Sequence, residues 1–149
     1  MKPEELSNII DHYLEQDYWV IDTFPKQVPT THASQYFKAE KYFLNHQRLD
    51  DLYKKFTHIL IKLSCYEELK LVLPADECIA HPDPDTIERL MLDQRRFFAV
   101  LESADAMIDV SGEDTYLTLY HPSDELLELV RCLAMAEGLF VWRTNNGKE

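Results

Sequence analysis

The sequence predicts an α+β fold: about five strands in an antiparallel or mixed sheet, backed by about five helices in a single domain. Three observations carry this reading. Apolar residues recur at helical spacing in long segments and alternate, or run together, in short ones. The segment order is α-β-α-α-β-α-β-β-α-β, with two consecutive strands near the C-terminus, unlike the regular strand–helix alternation of a doubly wound parallel sheet. Finally, 149 residues with a 46% hydrophobic fraction are enough to bury one substantial core. The expected domain spans 1–144, and 145–149 is expected to be a mobile tail.

The first segment, Pro3 to Gln16, places Leu6, Ile9, Ile10, Tyr13 and Leu14 on one stripe of a helix. Glu4 and Glu5 sit at its N-terminal end, where the helix dipole favours acid. Tyr18–Phe24 reads as a strand because it is aromatic and β-branched. Pro25 and Pro29 then keep the chain extended. Thr31 is the expected cap of a second helix running to Leu44, with Tyr36, Phe37, Phe43 and Leu44 buried.

Leu49, Leu52, Tyr53, Phe56, Ile59, Leu60, Leu63 and Tyr66 mark a third helix, too long and regular for a strand. Leu69–Leu73 is a short strand ended by Pro74, and residues 75–82 read as a loop. Asp83-Pro84-Asp85 combines a cap, a first-turn proline and a first-turn acid, which opens a fourth helix. Its expected buried face is Ile87, Leu90, Met91, Phe97, Phe98 and Leu101.

Ala106–Val110 and Thr115–Tyr120 flank Ser111-Gly112-Glu113-Asp114 and predict a β-hairpin. Ser123 then caps a helix that carries Leu126, Leu127, Val130, Leu133 and Ala134 and ends at Gly138. Leu139–Arg143 is the last strand, completing a C-terminal β-hairpin–helix–strand unit.

Charge is distributed unevenly along this order. Residues 1–75 hold 9 Lys/Arg against 11 Asp/Glu, and residues 76–149 hold 6 against 16, within a net charge of −12. Such a field attracts cations and repels nucleic-acid phosphate and anionic membrane. No basic patch interleaved with aromatics is present, so nucleic acid is not an expected partner. No apolar run has membrane-spanning length, and Met1-Lys2-Pro3-Glu4-Glu5 is no secretory signal, so the expectation is a cytoplasmic protein without a membrane partner. Cys65, Cys78 and Cys132 lack zinc or disulfide spacing and are expected to be buried, reduced thiols.

Catalytic and cofactor motifs are missing from the sequence. The three glycines lie far apart, which excludes the common phosphate-cradling loops, and no G-x-S-x-G nucleophile elbow occurs. No two of the six histidines have helical zinc-ligand spacing; His81 and His121, each before a proline, are expected to brace their turns. The hairpin acids Asp105, Asp109, Glu113 and Asp114 lack a calcium-loop pattern. No catalytic residue, metal or cofactor is therefore assigned.

What this charge suits is a small binding protein, of the immunity-type inhibitor kind, that docks on a basic protein partner. The candidate contact residues are Asp83, Asp85, Glu113, Asp114, Asp124 and Glu125, with Tyr116 and Tyr120 as aromatic anchors. The alternatives are an enzyme with an unrecognised carboxylate or histidine site, and a scaffold or oligomer-forming domain.

Overall fold

A computed structural model describes residues 3–93, 95–111 and 114–143. Those residues form an α+β domain with five α-helices and one seven-stranded antiparallel sheet. The helices are α1 (Pro3–Leu14), α2 (Ala33–Phe43), α3 (His46–Leu63), α4 (Pro84–Leu92) and α5 (Asp124–Ala136). The strands are β1 (Tyr18–Asp22), β2 (Lys70–Val72), β3 (Cys78–Ala80), β4 (Phe97–Leu101), β5 (Ala106–Val110), β6 (Leu117–Tyr120) and β7 (Phe140–Trp142). Their spatial order is β3-β2-β4-β5-β6-β1-β7, so the first strand enters the sheet between the last two.

The starts of α4 and α5 follow local chemistry, whereas α2 starts at Ala33 without a side-chain cap and Thr31, its expected cap, lies in the preceding 3-10 turn Thr30–His32. Asp83 accepts a hydrogen bond from the Thr86 N–H and caps α4, with Pro84 behind it. Ser123 does the same for α5 through the Leu126 N–H. Beyond α5, Gly138 adopts φ +77°, a conformation that lets the Leu139 N–H bond back to the Ala134 carbonyl at 2.8 Å. The chain is thereby turned straight into β7.

Strand alternation separates two chemically different faces. Trp19 and Ile21, Leu71, Ile79, Phe97, Ala99 and Leu101, Ala106, Ile108 and Val110, Leu117 and Leu119, and Val141 point to the main core. There they meet the apolar stripes of α3, α4 and α5, including the fully buried Phe56, Ile59, Leu60, Leu63, Ile87 and Val130. On the opposite face, one row of Cα partners runs Val72–Phe98–Asp109–Thr118–Val20–Trp142. A second runs Lys70–Val100–Met107–Tyr120–Tyr18. α1 covers only the β2-β4-β5 end of these rows, where Leu6 and Tyr13 pack on Val72, Val100 and Met107.

Seven strands replace the expected five. β4 occupies residues expected to lie on the fourth helix, which stops at Leu92. Phe97–Leu101 is a continuous apolar run because a central strand covered on both sides is buried on both sides, and periodicity cannot tell such a run from a buried helix. β3 lies in the expected loop 75–82; it is a three-residue edge strand with only Ile79 packed inward, too short to show a pattern.

Three burial expectations are also corrected. No residue of α2 is buried, and Phe37, Tyr42 and Leu44 are exposed, because this helix flanks the two layers instead of lying within one. Tyr66, beyond the end of α3, is exposed as well. Cys65, Cys78 and Cys132 are exposed free thiols, not buried ones. The expected tail 145–149 and Glu113 lie outside the described residues.

Candidate functional site

Past the edge of α1, the second face of the sheet stays open over β6, β1 and β7. Alternation sends Tyr18, Val20 and Asp22 from β1 to this face, together with Thr118 and Tyr120 from β6 and Trp142 from β7. Tyr116, just before β6, and Tyr36 of α2 complete a groove of about 490 Å³. Asp22, Gln27, Tyr36 and Trp142 also line an adjoining pocket of about 250 Å³ under the Lys26–Thr30 segment. The two spaces thus share Asp22, Gln27, Tyr36 and Trp142 in their walls.

Several contacts hold these walls. The Tyr18 and Tyr120 rings pack 5.9 Å apart across the β1–β6 pair. Phe24, just beyond β1, packs on Tyr36 at 5.7 Å and so ties α2 to the end of that strand. The Tyr36 hydroxyl donates to Glu40 at 3.4 Å.

Two partly or fully buried acids lie on this face. Asp22 is only 6% exposed; its Oδ1 accepts the Thr23 N–H at 2.7 Å. Burial raises its carboxyl above the ordinary range, against the opposing pull of the Thr23 N–H, the nearby Trp142 indole and the Phe24 N–H. The indole Nε1 of Trp142 is itself buried without an acceptor in full hydrogen-bond geometry. Asp109, beside Thr118 on the same face, is raised by burial against the pull of Arg96, which bonds its Oδ2 at 3.4 Å. Its Oδ1 is buried without a donor.

Burial also raises three tyrosines of the groove, with a smaller contribution from these acids. Tyr36 is pushed up to about 12 by burial and then by the charges of Glu40 and Asp22. Tyr116 is raised by burial and by Asp114, Asp109, Asp22 and Glu40; Tyr120 is raised by burial and by Asp109. Burial, the largest cause in all three, opposes charge of either sign, whereas the smaller contributions from Asp22, Glu40, Asp109 and Asp114 are those a cation would meet as attraction.

The structure divides the sequence candidates into two sets. Tyr116 and Tyr120 line the groove, and Asp114, whose main-chain carbonyl accepts the Tyr53 hydroxyl at 3.1 Å, acts electrostatically on Tyr116. Asp83 and Asp85 stand at the start of α4, and Asp124 and Glu125 at the start of α5, on helices of the opposite layer. Sequence reasoning missed Asp22, Tyr18, Tyr36 and Trp142. The available signal was the period-two pattern Tyr18-x-Val20-x-Asp22 and Tyr116-x-Thr118-x-Tyr120, which sets aromatic and polar residues on one face.

Outside the groove, His121 braces the turn after β6. Its Nδ1 lies 2.8 Å from the Asp105 carbonyl oxygen, and its own N–H donates to the Asp17 carbonyl at 2.8 Å. Among the described residues no group of three or more His, Cys, Asp or Glu could hold a metal ion. No helix among them is long and apolar enough to cross a membrane. No family model, curated protein or solved structure matches the chain.

Proposed function

We propose that this chain is a binding protein that docks a basic protein partner on the open half of its sheet. The observation that carries this reading is the uncovered groove over β6, β1 and β7, where tyrosines and a tryptophan surround a buried carboxylate. Aromatic side chains supply contact area at low entropic cost, and carboxylates steer a cationic partner and set its orientation. The net charge of −12 extends that steering beyond the contact itself. Asp83, Asp85, Asp124 and Glu125 would add to the long-range field from the helix starts, and inhibition of the basic partner in the immunity manner is one use of such docking.

The test is capture from native lysate at low salt, eluted with a salt gradient, using the wild type and two variants. One variant carries Tyr116→Ala and Tyr120→Ala; the other neutralises Asp83, Asp85, Asp124 and Glu125. A stoichiometric basic protein that is released by salt and lost with the tyrosine variant supports docking in the groove. Loss only with the second variant moves the contact to the helix starts. A partner indifferent to salt and to both variants defeats the reading.

A further inference from the structure

A carboxylate that is 6% exposed is strongly disfavoured as an isolated charge, so its ionised form calls for a cation beside it. Asp22 has none: no lysine, arginine or histidine among the described residues forms an ion pair with it. Lys26 lines the adjoining pocket without pairing to it. Asp22 instead lines both open spaces, together with Tyr36 and Trp142, and Tyr116 lines the larger one. Aromatic faces attract cations through their quadrupoles, most effectively where water is displaced.

We infer that the groove takes up the alkylammonium head of a partner lysine, with Asp22 as its counter-ion and the Tyr36, Tyr116 and Trp142 rings as its walls. This deepens the docking reading and rests on it. The choice of ammonium over guanidinium follows from the acceptors. Oδ1 of Asp22 already takes the Thr23 N–H at 2.7 Å and the Thr23 hydroxyl at 3.4 Å. The bidentate geometry that gives a guanidinium its advantage uses both carboxylate oxygens, whereas an ammonium is satisfied by one oxygen and the surrounding rings.

Butylammonium chloride is the probe, with butylguanidinium and the neutral 1-butanol as comparators, each titrated into the full chain. The readout is ¹H–¹⁵N NMR of the Trp142 indole, assigned with a Trp19→Phe variant. Butylammonium is expected to give saturable shifts that 1-butanol does not, and to bind about tenfold or more weakly to Asp22→Asn. Should Asp22→Asn fail to fold, Tyr36→Leu, on the exposed flanking helix, is the second variant and should weaken the same probe. Equal binding of 1-butanol, tighter binding of butylguanidinium, or no saturable shift overturns the inference. A tetralysine peptide separates the two levels. If it binds in a salt-sensitive way with the same affinity to wild type and Asp22→Asn, the ammonium site falls and the docking reading stands. If it does not bind at all, both fall.

Discussion

Adjacent residues of β6 offer a direct test of the two-faced sheet. Leu119 is fully buried; its Cα partners are Trp19 on β1 and Ile108 on β5, on the face seated under the helices. Thr118, one residue earlier, pairs with Val20 and Asp109 and looks into the groove. Truncating a buried leucine to alanine removes transfer free energy and leaves a cavity, together about 2–5 kcal/mol. Against a total stability of about 5–15 kcal/mol that is a large fraction. For a domain of this size, it lowers Tm by roughly 5–15 °C. Thr118→Ala loses one methyl and one hydroxyl from a half-exposed site and should lose no more than about 1 kcal/mol of strand preference and contact. Urea denaturation of both variants, with unchanged m-values, measures the difference. Equal costs would mean that the groove face is packed like a core. A Leu119→Ala cost below about 1 kcal/mol would mean that the helical layer does not seat on β6.

Asp22 gives a pH-dependent expectation. Burial holds its folded carboxyl above the ordinary value of 3.8, so as pH rises the unfolded chain releases this proton first. Ionised Asp22 therefore destabilises the fold at neutral pH and has no such effect well below that value. Asp22→Asn should raise the urea midpoint at pH 7 and leave it unchanged near pH 3; a lowered midpoint at pH 7 would show that the carboxylate is needed to hold β1. Binding of an ammonium to the wild type should weaken as pH falls through the raised carboxyl, with Glu40, Asp109 and Asp114 the other acids acting on the groove tyrosines. Ser123→Ala removes the α5 cap and is expected to lose about 1 kcal/mol, read as a Tm decrease of roughly 2–4 °C. Gly138→Ala meets no steric obstacle, with Lys55 Nζ the nearest atom at 4.0 Å, yet strains a φ of +77° and should lose about 1 kcal/mol. A neutral result in thermal unfolding would mean that the α5–β7 turn relaxes freely.

Features that depend on near neighbours along the chain are legible in the amino-acid order. The α3 stripe from Leu49 to Leu63 is legible because every third or fourth residue faces one core. The caps at Asp83 and Ser123 are legible because a short polar side chain reaches an N–H three residues on. Tyr116 and Tyr120 could be singled out as aromatic residues on an acidic half. The rest follows from packing between segments distant along the chain. The five apolar residues of β4 became a strand because β2 and β5 flank them and both faces are covered, a fact that local periodicity does not encode. The groove exists because β1, from the start of the chain, inserts between β6 and β7, and because α1 packs at the other end of the sheet, on Val72, Val100 and Met107. That insertion brings Tyr18 and Asp22 beside Tyr120 and Trp142, about 100 or more residues away in sequence, and no pattern within a window of ten or twenty residues reports a meeting across that separation.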